Sequence, residues 1–114
     1  MKILPLLLIL AAPSAFAATL SCREDPNTRE HFCYLPSELR VNKDLRSFPV
    51  FKGGPKGAER SGYLAVVHCK TGLLELRDRK GVIFAKNFPS KKHIKLLLND
   101  ACSEKKVKID KNLN

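Results

Sequence analysis

Tryptophan is absent from the 114-residue chain, and its six Phe and two Tyr do not interleave with the basic segments. Stacking readout of nucleic-acid bases needs aromatic rings set among cations, so this composition argues against it, and Phe84 and Phe88 are expected in the core. Past residue 17 no apolar run approaches the roughly 20 residues of a membrane-spanning helix. No C-x-x-C pair occurs either. Close cysteine pairs mark most zinc sites, so neither a metal nor another cofactor is expected. The glycine-rich stretch from Lys52 to Gly62 lacks the G-x-x-x-x-G-K-[ST] spacing of a phosphate-binding loop and reads as an exposed connection. Internal repeats and low-complexity tracts are also missing.

What is present begins with a leader. Lys2 is followed by an apolar stretch from Ile3 to Ala12, and Ala15-Phe16-Ala17 puts small residues where a signal peptidase inspects the chain. Residues 1–17 are therefore expected to be a signal peptide, and the exported form to start near Ala18. Removing 17 of 114 residues leaves 97, enough for one domain, with a core that is marginal by itself. Four cysteines, Cys22, Cys33, Cys69 and Cys102, supply the missing staples. An even count in a small exported chain predicts two disulfides. The pairing Cys22–Cys33 with Cys69–Cys102 is favoured, and Cys22–Cys102 with Cys33–Cys69 is its competitor.

The fold class follows from two hydrophobic periods. Tyr63 to Cys69, Leu73 to Arg77 and Val82 to Ala85 read as strands joined by the short turns Lys70-Thr71-Gly72 and Asp78-Arg79-Lys80-Gly81. Three strands on two short turns make an antiparallel meander. Ile94, Leu97, Leu98 and Ala101 then recur at helical spacing, which predicts an amphipathic helix from about Lys91 to Cys102 with Ser90 as its cap. The class expected is α+β, a small disulfide-stapled domain over residues 18–102, with the helix laid on the meander. Residues 103–114 read as a polar tail in which Val107 and Ile109 offer one last edge strand. Earlier in the chain, Ser21 to Glu30 reads as a polar loop closed by the first disulfide. Ser37 to Val41 reads as a short strand or a helix start, and Pro49 confines Phe48–Phe51 to a sheet edge.

Charge carries the functional expectation. The chain has 21 Lys plus Arg against 11 Asp plus Glu; without Lys2 the balance is 20 against 11, or +9. Such an excess attracts polyanions by field steering and counterion release. The candidate anion-binding residues are Arg77, Arg79, Lys80, Lys91, Lys92 and Lys95. Lys91 and Lys92 sit where a helix dipole disfavours cations, a hint that positive charge is wanted there. Partners that fit are an acidic protein, an anionic glycan or nucleic acid. The reading is a small, secreted basic binding protein, a monomer, of the microbial effector or inhibitor type, acting on an acidic partner in the medium or in a bacterial periplasm. Two alternatives compete: a secreted ribonuclease-like hydrolase, and a membrane-active basic protein whose helix docks on anionic lipid.

No catalytic set is assigned. Acid–base chemistry needs convergent groups, and nothing in the spacing of His31, His68, His93, Glu75 and Arg77 selects one. His93, among lysines, reads as solvated, and His68 and Cys69 project from opposite faces of one strand. Phe48-Pro49-Val50 followed by Gly54 to Arg60 resembles the central stretch of secreted fungal guanyl-specific ribonucleases. That family places a catalytic Glu before its aromatic–proline step, where this chain has Ser47, and its later His-Thr-Gly motif has no counterpart here. The resemblance implies neither membership nor activity.

Overall fold

The computed structural model describes residues 19–114, so the expected leader lies outside the described residues. Among the described residues one sheet, antiparallel but for its last short strand, carries a single α-helix on one face and is stapled by two disulfides. The strands are β1 (Ser21–Glu24), β2 (His31–Tyr34), β3 (Arg40–Asn42), β4 (Leu45–Lys52), β5 (Glu59–His68), β6 (Leu73–Arg77), β7 (Ile83–Asn87) and β8 (Lys108–Ile109). The helix α1 spans Lys92–Ser103. The main path runs β1-β2-β4-β5-β6-β7, and β3 pairs with the other end of β4. The tail returns so that β8 lies parallel to β3.

The meander expected from the sequence is β5-β6-β7, with Val67 opposite Leu74 and Leu76 opposite Ala85. Its second turn is closed by Asp78, whose Oδ1 accepts from the N–H groups of Lys80 and Val82. Three local expectations change. Ser21 to Glu30 is not a loop but the first strand and turn of a hairpin, in which Cys22 lies directly opposite Cys33. Lys52 to Gly62 is loop only in its middle, because β4 runs to Lys52 and β5 begins at Glu59. Pro49 stands in a central strand, not at an edge. It is tolerated because β3 pairs with β4 up to Ser47 and β2 rejoins only at Phe51. The missing N–H therefore falls at an irregularity of the ladder.

The core forms where α1 meets the sheet. Leu97, Leu98 and Ala101 pack with Tyr34, Leu39, Phe48, Ala65, Val67 and Leu74. The helix contacts β1 and β2, and no residue of β7 enters this core. Arg23 on β1 holds the helix through a two-pronged ion pair with Asp100, at 2.8 and 2.9 Å. Arg46 donates to the carbonyls of Ala101 (3.1 Å) and Glu104 (2.9 Å), satisfying acceptors that a helix end leaves open. Ser90 does not cap α1: the residue before the helix is Lys91, in an extended conformation and without a side-chain capping bond. A smaller cluster of Cys33, Leu35 and Phe51 is joined by Cys22.

The sulfurs pair as Cys22–Cys33 and Cys69–Cys102, and no described cysteine is free. Such bonds belong to an oxidising, extracellular-type environment. The second bond ties the end of the central strand β5 to the end of α1 and closes a 33-residue separation, against 11 for the first. Loop-closure entropy then assigns about 4 kcal/mol to Cys69–Cys102 and about 3 kcal/mol to Cys22–Cys33. Denaturant unfolding of the two double Cys→Ala variants should show the larger loss for Cys69/Cys102. An equal or inverted order would deny the second bond its role as principal staple.

Candidate functional site

The first turn of α1 is the most unusual feature of the surface. Helices favour acidic side chains near their N-terminus; this one has none in its first turn, and Lys91 and Lys92 stand there instead. Next to them, His93 is buried, only 4% exposed, and not solvated as its lysine neighbours suggest. The reason is its spacing. His93, Leu97 and Ala101 recur every four residues, so the histidine belongs to the stripe that faces the sheet.

One carboxylate faces both Lys91 and His93. Glu30, at the end of the β1–β2 turn, places Oε1 3.2 Å from Lys91 Nζ and 3.0 Å from His93 Nε2. The lysine contact is a hydrogen bond; the histidine contact is short but poorly aligned. His93 Nε2 is consequently the one buried side-chain nitrogen or oxygen among the described residues without a hydrogen-bond partner. An uncapped helix start, Lys91 and an unsatisfied imidazole thus adjoin a half-exposed carboxylate.

Beside this carboxylate lies a groove of about 590 Å3, floored by Phe32, Val50 and Ile94 and rimmed by Arg29, Lys52, Lys91 and His31. Gly54 makes room for His31: a Cβ on it would come within 3.3 Å of the imidazole. His31 Nε2 lies 3.7 Å from Glu24, which also pairs with Arg29. A second hollow, of about 470 Å3, opens on the other side of Lys91 and His93, with Lys92, Glu24 and Asp25 on its wall. The Asn27 N–H holds the Asp25 carboxyl below its ordinary value.

The six cations named from the sequence do not form one patch. Lys91 and Lys92 share the helix start, and Lys95 lies a turn further along, near Phe88 and Asn99. Arg79 and Lys80 sit on the β6–β7 turn, with Arg79 against Gly62. Arg77 is engaged elsewhere: it donates twice to Glu75 Oε1 and once to the carbonyl of Asn114. Arg29 and Lys52 belong to the groove and were not singled out by sequence; only the pairing of β2 with β4 brings them together.

The histidines do not converge on one another. Each is matched to a different glutamate: His31 to Glu24, His68 to Glu75 and His93 to Glu30. The tightest of these sets is His68–Glu75–Arg77, with His68 Nε2 2.7 Å from Glu75 Oε2. It has the composition of an acid–base centre but lines none of the hollows described above. Among the described residues no group of three or more His, Cys, Asp or Glu is placed to hold a metal ion. No protein-family model matches the chain, and no curated protein or solved structure shows a significant match.

Two aromatic expectations are corrected. Phe84 is 50% exposed and Phe88 65% exposed, because α1 leans toward β1 and β2 and leaves the far end of the sheet uncovered. Phe84 is the residue skipped where the β6–β7 register shifts, and such bulges re-aim a side chain. Tyr63 follows Gly62, whose φ of +88° suits glycine, at another register shift opposite Val50. The two rings meet at a centroid distance of 4.8 Å.

Glu75 gives a test of the electrostatics. Burial alone pushes its carboxyl up, but hydrogen bonds from Arg77 and His68, together with their charges, outweigh this and hold it below its ordinary value. A lowered folded-state pKa contributes stability above the unfolded value, here 4.5, which is lost as pH falls through the folded value. Glu75→Gln should cost about 2 kcal/mol at neutral pH. Its stability should also fall less steeply than the parent's below pH 4.5. Parallel pH–stability curves for parent and variant would refute the assignment.

Proposed function

We propose that the exported protein is a non-catalytic binding module of the small effector or inhibitor type, which takes an acidic partner at the start of α1. The observation that carries this reading is the Glu30 carboxylate, hydrogen-bonded by Lys91 and set 3.0 Å from the unpartnered Nε2 of His93 at an uncapped helix N-terminus. It marks a position where an anion is favoured by the helix dipole and by two side chains. A carboxylate, sulfate or phosphate of a partner finds the same donors once Glu30 swings aside, and Arg29 and Lys52 extend the positive rim along the groove. The signal-peptide pattern of residues 1–17 and the two disulfides support action outside the producing cell.

The lipid-docking alternative has less to work with, because His93, Leu97, Leu98 and Ala101 of the helix stripe are buried against the sheet. The hydrolase alternative rests on His31 in the groove. That histidine has Glu24 beside it, and no second histidine shares the groove.

Polyglutamate, heparin and a single-stranded oligonucleotide represent the acidic protein, glycan and nucleic-acid classes. The class that binds should do so with an affinity that falls steeply with salt. Lys91→Glu with Lys92→Glu should weaken it by about tenfold or more, and Glu30→Gln should strengthen it by removing the internal competitor. An affinity indifferent to salt, or a Glu30→Gln variant that binds more weakly, refutes the site.

His93 separates function from stability. A buried nitrogen without a partner costs about 1–3 kcal/mol. His93→Leu should therefore raise the melting temperature while weakening anion binding. A variant that is stabilised and binds as well as the parent removes His93 from the site.

A further inference from the structure

Five of the six large apolar side chains exposed among the described residues lie on β7 or beside it: Tyr63, Val82, Ile83, Phe84 and Phe88. The strand they surround ends the sheet among the described residues, where β7 pairs with β6 alone. Two independent signals therefore coincide. Unpaired backbone N–H and C=O groups are a template for another strand, and a concentrated apolar patch marks a protein contact.

Charge selects the kind of strand. Arg79, Lys80 and Lys86 flank or stand on this edge. The carboxylates nearby are engaged: Asp78 in its own turn, and Glu75 buried with Arg77 and His68. A second copy of the chain would set Lys86 and its neighbours against their own kind, and like charges across paired strands are unfavourable. An extended segment that alternates acidic and apolar residues meets no such penalty. Its apolar side chains reach the Tyr63–Phe84 pair, whose rings meet at a tilt and belong to neither core cluster.

We propose that β7 is a docking edge that takes an extended acidic segment of a partner protein as an added antiparallel or parallel strand. The inference rests on the acidic-partner reading above and narrows it to a polypeptide. Backbone hydrogen bonds along Ile83–Asn87 hold the segment, the aromatic pair receives one apolar side chain, and the lysines set its charge.

The probe is a short N-acetylated peptide in which Glu alternates with Val, added to the oxidised full-length protein while amide hydrogen exchange is followed by NMR. Exchange should slow at alternate amides of Ile83–Asn87, because successive strand residues point to opposite sides. For the same reason, of Ala85→Pro and Lys86→Pro one removes an outward N–H. The variant that melts like the parent should bind the peptide about tenfold more weakly. Phe84→Ser, at an exposed position, tests the same contact without touching the ladder and should weaken binding as well. Polyglutamate binding to the helix start should survive all three substitutions, so failure of the earlier reading shows in polyglutamate and failure of this one in the β7 amides. The inference is overturned if the peptide leaves β7 exchange unchanged, if a Lys/Val peptide protects it equally, or if a single-stranded oligonucleotide protects it instead. Protection that grows with protein concentration and no peptide would assign the edge to a second copy and overturn it too.

Discussion

One helix has to cover a sheet that is too wide for it. Twelve residues give α1 a length of about 18 Å and a diameter of about 10 Å, whereas six strands abreast span about 24 Å. In neither dimension does the helix reach across. It sits toward β1 and β2, fixed by Arg23–Asp100 on one side and by Cys69–Cys102 at its end. Most of the surface follows from that choice. The covered side holds the core, the helix start opens beside the β1–β2 turn, and the β7 end is left with its aromatic side chains in solvent.

The opposite face has its own solution. Glu75 and Arg77 alternate with Leu74 and Leu76, so they face away from the helix. There the chain's last residues return: Asn42 donates to the Leu113 carbonyl, Arg77 donates to the Asn114 carbonyl, and Leu113 is buried. The tail that reads as polar in the sequence thus contributes a strand and a buried leucine. A single buried residue in a charged dozen carries no periodicity, and only the register of β8 against β3 reveals it.

What the sequence made legible was whatever repeats locally. The meander shows through its turns, the helix through its spacing, and the favoured cysteine pairing is the one formed. What escaped depends on register. Ser21–Glu24 is too polar to look like a strand, although Cys22 and Cys33 as opposite partners imply one. Pro49 argues for an edge unless the gap between β3 and β2 is known. Phe84 reads as core because alternation assumes no bulge. Of the candidate site, Lys91 and Lys92 were visible as misplaced cations at a helix start, and His93 was visible in principle as the first member of the series with Leu97 and Ala101. Glu30, Arg29 and Lys52 were not, because they reach the helix start or its groove through strand pairing alone.

The positive charge then has two separable roles. At the helix start, the proposed anion site, the dipole and the two lysines lie within one turn. Along β7 the charges are spread and touch no common point, so they bind nothing by themselves. Their effect is on which strand can approach. An uncovered edge with apolar side chains invites indiscriminate pairing, and lysines on such an edge are the usual safeguard. The safeguard is not neutral: by opposing basic and identical strands it leaves acidic ones as the favoured class. A helix too small to cover the described sheet thus leaves an edge whose charge both protects it and biases what it can accept.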